Sequence, residues 1–192
     1  IQIRRHITTS TASLLRIREE VDVVNLSILI PSIPERLDMV RALLTRIETI
    51  CSNNTEVLVL IDNKKMSIGE KRQRLLEMAQ GKYIAYCDDD DNITDSYHLL
   101  ADYTGDADVI TFQQYAEVDG NKTIVDFDLN HTENEVFVTD GITKRRPFHV
   151  CAWKRENVVK LPFQPINWGE DWHWCERALI NTHTQHKIDG VL

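Results

Sequence analysis

The chain has 192 residues, 42% of them hydrophobic and 27% charged, which suits one domain with a sizeable core. Its formal net charge of −8 argues against general nucleic-acid binding, which needs a basic surface. No apolar run approaches the ~20 residues of a membrane-spanning helix, and the start of the chain lacks the basic-then-apolar pattern of a secretory signal, so a cytoplasmic protein with no membrane span is expected.

Residues 1–22 are polar and loosely helical, with apolar positions at Leu14, Leu15, Ile17 and Val21, and read as an N-terminal arm before a domain at 23–192. Ile1 is not an initiator methionine, so trimming at that end is expected. Residues 23–30 are β-branched and Leu-rich, the pattern of a buried parallel strand, with Pro31-Ser32-Ile33-Pro34 as the turn after it. Residues 35–50 carry Leu37, Val40, Leu43, Leu44 and Ile47 at helical spacing. A second buried strand is expected at 56–61, closed by Asp62-Asn63. A second helix is expected at 67–80, opened by the Ser67-x-x-Glu70 capping-box pattern and ended by Gly81. Residues 82–87 then form a third strand, closed by Asp88-Asp89-Asp90-Asp91.

Strands alternating with helices imply a parallel sheet with right-handed crossovers, and ligands bind such sheets at the carboxyl ends of the strands. Ser32, Asp62 and residues 88–91 would converge there. The second half is less regular. Strands are expected at 108–115 and 122–127 around Asp119-Gly120, with another at 135–139. A basic loop at 141–147 leads into His149-Val150-Cys151-Ala152-Trp153. Gly169 precedes a helix at 170–181, and 183–192 is extended. Cys51, Cys87, Cys151 and Cys175 form no Cys-x-x-Cys pair and are expected to be free, mostly buried thiols rather than disulfides or zinc ligands.

Four consecutive carboxylates repel one another unless solvated or gathered around a cation. A solvated run is the bland explanation. This run follows a buried strand directly, where an Asp-x-Asp pair suits Mg2+ or Mn2+ shared with phosphate oxygens. Glu170 and Asp171 open a predicted helix, where negative charge is favoured by the dipole; capping competes with a general-base role. Trp168 and Trp172 flank this pair as candidates to stack on an acceptor, whereas Trp174 reads as packing. Lys144, Arg145, Arg146 and His149 either meet an anionic ligand or form a solvated loop.

Leu26-Ser27-Ile28-Leu29-Ile30-Pro31-Ser32 resembles the opening strand of family 2 glycosyltransferases, which have the GT-A fold. Lys71-Arg72-Gln73, the Gly81-Lys82-Tyr83-Ile84 strand and the run at 88–91 are similar to that family's Ala-Arg-Asn helix, Gly-x-Tyr-Ile strand and Asp-x-Asp motif. Gly169-Glu170-Asp171-Trp172 resembles its later Glu-Asp motif. The resemblance spans roughly residues 24 to 180 and implies an α/β, Rossmann-like single domain whose mostly parallel central sheet is flanked by helices. It implies transfer of a sugar from a nucleoside-diphosphate donor, expected to be UDP-linked, to an acceptor hydroxyl, with inversion.

Carried over residue by residue, the resemblance places Pro31, Ser32 and Asp62 at the base, Arg72 near the base or diphosphate, and Asp88 and Asp89 on the donor. Asp90 would bind Mn2+ or Mg2+, and Asp171 would be the base. Trp168, Glu170 and Trp172 would meet the acceptor. A further metal-binding histidine tends to follow the next strand in the family; here either His186 serves or that ligand lies beyond Leu192. Lys71 and Gln73 depart from the family's alanine and asparagine, and Asp62-Asn63-Lys64 from its Asp-Asp-Gly-Ser, which leaves the base open. The acceptor is open among a glycan, a lipid-linked sugar, a small molecule and a hydroxylated nucleobase. Two rivals stand: a sugar nucleotidyltransferase, whose Gly-rich loop after the first strand is missing from this sequence, and a non-catalytic nucleotide-sugar-binding accessory domain.

Overall fold

The structure is a computed structural model that describes residues 24–118 and 120–192. The arm expected at 1–22 lies outside the described residues, as does Asp119 of the predicted turn. Strands β1 (Leu26–Ser32), β2 (Thr55–Ile61) and β3 (Tyr83–Tyr86) alternate with helices α1 (Leu37–Ile50) and α2 (Ile68–Met78). After α3 (His98–Asp102) come β4 (Val109–Val118), β5 (Asn121–Phe127), β6 (Ile142–Arg145), β7 (Ala152–Lys154), α4 (Arg155–Val158), α5 (Glu170–Leu179) and β8 (Gln185–Val191).

All eight strands join one sheet in the order β2-β1-β3-β7-β4-β5-β6, with β8 on β4. β1 runs parallel to both β2 and β3, β8 parallel to β4, and β6 parallel to β5. β7 enters antiparallel between β3 and β4, and β4 with β5 forms an antiparallel hairpin. The expected α/β architecture, a central sheet with flanking helices, is therefore present, with its antiparallel members confined to the second half.

Every residue of β1 is buried, as its unbroken apolar run requires of a strand covered on both faces. α1 turns Val40, Leu43 and Ile47 into the core, and α2 contributes Leu75 and Leu76. Trp174 of α5 is fully buried; its ring stacks on Phe163 at 4.9 Å and meets Tyr86 and Trp153 edge-on, as expected for packing. Among the described residues, no helix is long and apolar enough to cross a membrane. All four cysteines are free, and Cys87, Cys151 and Cys175 are buried.

Several boundaries differ from expectation for identifiable reasons. Pro31 and Ser32 belong to β1 rather than to the turn, because β1 keeps its register with β2 as far as the Ser32–Ile61 pair. The Ser67–Glu70 capping box forms as expected, but α2 stops at Met78, before Gly81. Gly81 serves close approach instead: a Cβ there would sit 2.6 Å from the Ser27 backbone nitrogen. The strand expected at 135–139 does not form. The strand forms inside the basic loop, as β6, which supplies the ladder partners of β5. Residues 135–138 are tied to β6 through Glu135 N–H donating to Lys144 O and Val138 N–H donating to Thr143 Oγ1.

Two connections aim the later elements at the first half. The segment at 163–167 lies along α2: Gly69 N–H donates to Ile166 O at 3.1 Å, Ile68 N–H to Asn167 Oδ1 at 3.0 Å, and Phe163 N–H to Gln73 Oε1 at 2.9 Å. A Cβ on Gly69 would stand 1.8 Å from Gln164 O, so only glycine permits this approach. The start of α5 is thereby held beside α2. On the other side, Tyr86 N–H donates to His149 O at 3.3 Å, fixing the segment before β7 at the carboxyl end of β3.

Candidate functional site

A cleft of about 760 Å³ opens at the carboxyl ends of β1 and β3. Pro31, Ser32, Arg72, Asp88, Asp89 and Asp90 line it from the first half of the chain. Trp168, Glu170, Asp171 and Trp172 line it from the loop before α5 and its first turn. Ten expected site residues, far apart in sequence, thus meet in one crevice. Asp62 and His186 are not among its lining residues.

The four aspartates occupy four different environments. Asp88 accepts from Arg72 Nη2 at 3.0 Å. Burial alone would raise its carboxyl, but His149, when its ring is protonated toward Asp88, and the Arg72 guanidinium outweigh that and hold it well below the usual carboxylate range. Asp89 lines the cleft but is only 4% exposed and already paired: Ser32 Oγ donates to it at 2.6 Å and Arg36 Nη1 at 2.7 Å. Its role is to fix the end of β1 against the turn. Asp90 is exposed and shares Arg36 at 3.0 Å. Asp91 folds back to accept from Asp88 N–H at 3.1 Å.

Burial and the Asp88 charge raise the Asp91 carboxyl to about 6. The native state thus binds a proton that the unfolded chain releases near about 3.9. That contribution to stability is complete below this unfolded value and is lost as pH rises through about 6. Asp91→Asn is therefore expected to be more stable than the parent at pH 7, by roughly 2 kcal/mol, with the advantage vanishing near pH 4. Urea unfolding at the two pH values measures it; an equal effect at both would contradict the buried-carboxyl account.

Two cations lie under the cleft. Arg72 is 3% exposed, with Nε 3.5 Å from Glu170 Oε1 and its guanidinium 5.4 Å from the centre of the Tyr86 ring. Lys71 is 5% exposed and pairs with Asp62 Oδ1 at 2.8 Å while donating to Ser32 O at 2.9 Å. The other Asp62 oxygen accepts from the Lys65 and Met66 N–H groups at 2.6 and 2.9 Å. Asp62, expected at the base, is thus engaged on both oxygens within the protein. Lys71 takes up one carboxylate oxygen and the 65–66 backbone the other.

Gly169 reaches φ +78° at the N-cap of α5, a left-handed turn suited to glycine, and brings Glu170 and Asp171 into the first turn. Their environments diverge. Glu170 is 4% exposed and faces Arg72, so it forms part of the cleft floor rather than an open acceptor surface. Burial raises its carboxyl, against the pull of Arg72. Asp171 keeps 24% of its side chain exposed, with Oδ1 accepting from Trp172 N–H at 2.7 Å. Trp168 is 90% exposed and Trp172 42%, so both side chains are open to solvent at the cleft.

The basic cluster does not act as a unit. Arg146 pairs with Glu176, and Arg145 lies over the Phe137 ring. Only His149 reaches the site: it is 6% exposed, with Nε2 3.8 Å from Asp88 Oδ2 and Nδ1 3.5 Å from Asp171 Oδ2. Arg36 also joins the site unannounced by the sequence, where it reads as one more polar position at a helix start. His186 goes elsewhere. It pairs with Ile110 at the start of β8 and stacks on Tyr103 at 4.4 Å. The Val109–Trp153 and Ile84–Trp153 pairings align the starts of β4, β8 and β3, so His186 sits at the sheet end opposite Asp88 and cannot share an ion with Asp90.

Among the described residues, no three His, Cys, Asp or Glu side chains converge as a metal cage. The donor chemistry that remains is one exposed carboxylate, Asp90, next to Asp88. That fits Mg2+ or Mn2+ only in the manner of nucleotide sites, where one or two carboxylates share the ion with phosphate and water.

No protein-family model and no curated protein matches the chain. Solved structures do. The S. aureus TarS 1–349 structure aligns with a TM-score of 0.57 at 15% identity, over 87% of this chain and 60% of that one. TarS 1–349 in complex with UDP-GlcNAc aligns with the same TM-score of 0.57 at 12% identity, over 88% and 58%. The chain thus spans about 60% of the length of the structure it matches. At 12–15% identity, the likeness shows that this chain shares its fold with TarS.

Proposed function

We propose that this chain is a glycosyltransferase that binds a nucleoside-diphosphate sugar, UDP-linked, and transfers the sugar to an acceptor hydroxyl with inversion. One observation carries the reading: Asp88, Asp90 and Arg72 meet Asp171 in a single cleft at the carboxyl ends of the parallel strands. A donor side rich in carboxylates and cationic side chains then faces a partly exposed carboxylate. The UDP-GlcNAc complex of a structurally similar protein supports a UDP-linked donor.

In this reading Asp88 contacts the ribose or donor sugar, held in place by Arg72. Arg72 and Arg36 add positive charge where the diphosphate leaves. Asp90 holds Mg2+ or Mn2+, which when bound neutralises charge on the departing diphosphate. Asp171 removes the proton from the acceptor hydroxyl as its oxygen attacks the anomeric carbon opposite the leaving group. One base and one displacement give inversion. Trp168 and Trp172 present apolar faces on which an acceptor ring stacks. The sequestered Asp62 leaves base contacts to Pro31, Ser32 and neighbouring backbone.

The direct test is thermal stabilisation by UDP, UDP-glucose and UDP-GlcNAc, with and without Mn2+. A ligand at a hundred times its Kd is expected to raise the melting temperature by roughly 5–10 °C in the presence of the ion. Asp90→Ala should abolish the ion-dependent part. Absence of metal-dependent stabilisation by every nucleoside diphosphate would sink the proposal.

A further inference from the structure

We propose that His149 is a positioning residue whose Nδ1–H holds the Asp171 carboxylate in line with the donor side of the cleft. The inference rests on the reading of Asp171 as the base and adds the group that orients it.

The imidazole is enclosed between the two functional carboxylates, 3.5 Å from Asp171 Oδ2 and 3.8 Å from Asp88 Oδ2. Its placement is rigid. The backbone is bonded at Tyr86 N–H, the Phe148 ring lies edge-on at 4.6 Å, and Phe148 O accepts from Cys151 N–H and Trp153 Nε1. Both ring nitrogens are buried without a hydrogen-bond partner. A buried polar atom left unpaired is costly, so a histidine in such a place is retained for something a smaller apolar residue would not supply. The Asp171 contact, the shorter of the two at 3.5 Å, comes within hydrogen-bond distance by a movement of a few tenths of an ångström, of the kind that accompanies loading of an active site.

Which carboxylate receives the proton follows from what each already has. Asp88 is served by Arg72, whose Nη2 reaches both oxygens, at 3.0 and 3.4 Å. Asp171 has the Trp172 N–H on Oδ1, and His149 is the cationic or donor side chain facing its Oδ2 among the described residues. Burial and the Arg72 charge lower the affinity of the ring for a second proton, so it carries one N–H and serves one carboxylate. The unserved carboxylate is Asp171. With Nδ1 protonated, Nε2 has no N–H to give Asp88, which relies on Arg72, and the imidazole stands between the donor contact and the base.

The test has a ligand-free arm and a turnover arm. Side-chain 15N spectra of the full chain at neutral pH should show His149 protonated on Nδ1, and that resonance should shift in Asp171→Asn. A ring protonated on Nε2, or one indifferent to Asp171→Asn, would overturn the inference. In the second arm, UDP-GlcNAc hydrolysis is compared across variants. The amide nitrogen of His149→Asn stands near the Nδ1 position and that of His149→Gln near Nε2. The asparagine variant should stay within about threefold of the parent in kcat, while His149→Gln and His149→Ala fall about tenfold or more with KM within about twofold. Equal losses in the asparagine and glutamine variants, or none in His149→Ala, would also overturn it. Undiminished turnover in Asp171→Asn would instead remove the base reading, a different failure, since the tautomer of His149 is read without any donor.

Discussion

Asp171→Asn is expected to lower sugar transfer by about 10²–10⁴-fold while leaving donor binding intact. The asparagine keeps the size of the side chain and can still accept from Trp172 N–H, so the start of α5 should not move. What it loses is the capacity to take a proton from the acceptor hydroxyl. Because the proposed donor contacts are Asp88, Asp90 and Arg72, thermal stabilisation by UDP with Mn2+ should survive the substitution. Loss of both binding and turnover would point to a structural role at the helix start instead. Glu170→Gln is the useful comparison. Glu170 stands beside Asp171 but is buried against Arg72, so its substitution should change stability and donor affinity more than the chemical step.

Arg72→Ala is expected to destabilise the fold by about 3–5 kcal/mol at pH 7, because it leaves Glu170 buried without its cation. Asp88 is 37% exposed and can recover water; Glu170, at 5%, cannot. Burial already raises Glu170 in the parent, and removing Arg72 removes the main opposing pull. An acid whose native value is raised favours folding while protonated. The deficit of Arg72→Ala should therefore be smallest below the unfolded glutamate value of about 4.3 and grow as pH rises through the raised native value. Adding Glu170→Gln to Arg72→Ala should recover a large part of the loss at neutral pH. Urea unfolding of the four proteins in the cycle gives the coupling directly. Additivity of the two substitutions would show that the 3.5 Å contact carries no energy.

The two carboxylates of the Glu-Asp pair show how adjacent, chemically similar residues acquire different work. Both lie in the first turn of α5, where the dipole favours negative charge. Arg72 draws one of them into the floor. The other stays partly open, with a histidine rather than an arginine beside it. The same differentiation separates the aspartates at 88–91, which the sequence presents as four equal groups. Arg72 takes Asp88, Ser32 and Arg36 take Asp89, and the turn itself takes Asp91, which leaves Asp90 the most open of the four.

The β1–α1–β2–α2–β3 unit, and the sheet edge at which its polar residues gather, are legible in the residues themselves. The signals are local: continuous apolar runs for buried strands, helical spacing at Val40, Leu43 and Ile47, and a capping box at Ser67. Such signals act within a few residues and survive any arrangement of the rest of the chain. Tertiary structure alone decided the other half of the site. Whether His149 meets Asp88 depends on β7 running antiparallel beside β3, and no property of residues 141–153 specifies that neighbour. Whether Asp62 is free depends on Lys71 crossing from α2 to the end of β2. Whether His186 can serve a metal depends on which end of the sheet β8 starts from, and its parallel pairing with β4 puts that start opposite the cleft. Each is a long-range pairing of a polar side chain, set by sheet order and by the desolvation of buried charge, and periodicity carries no information about either.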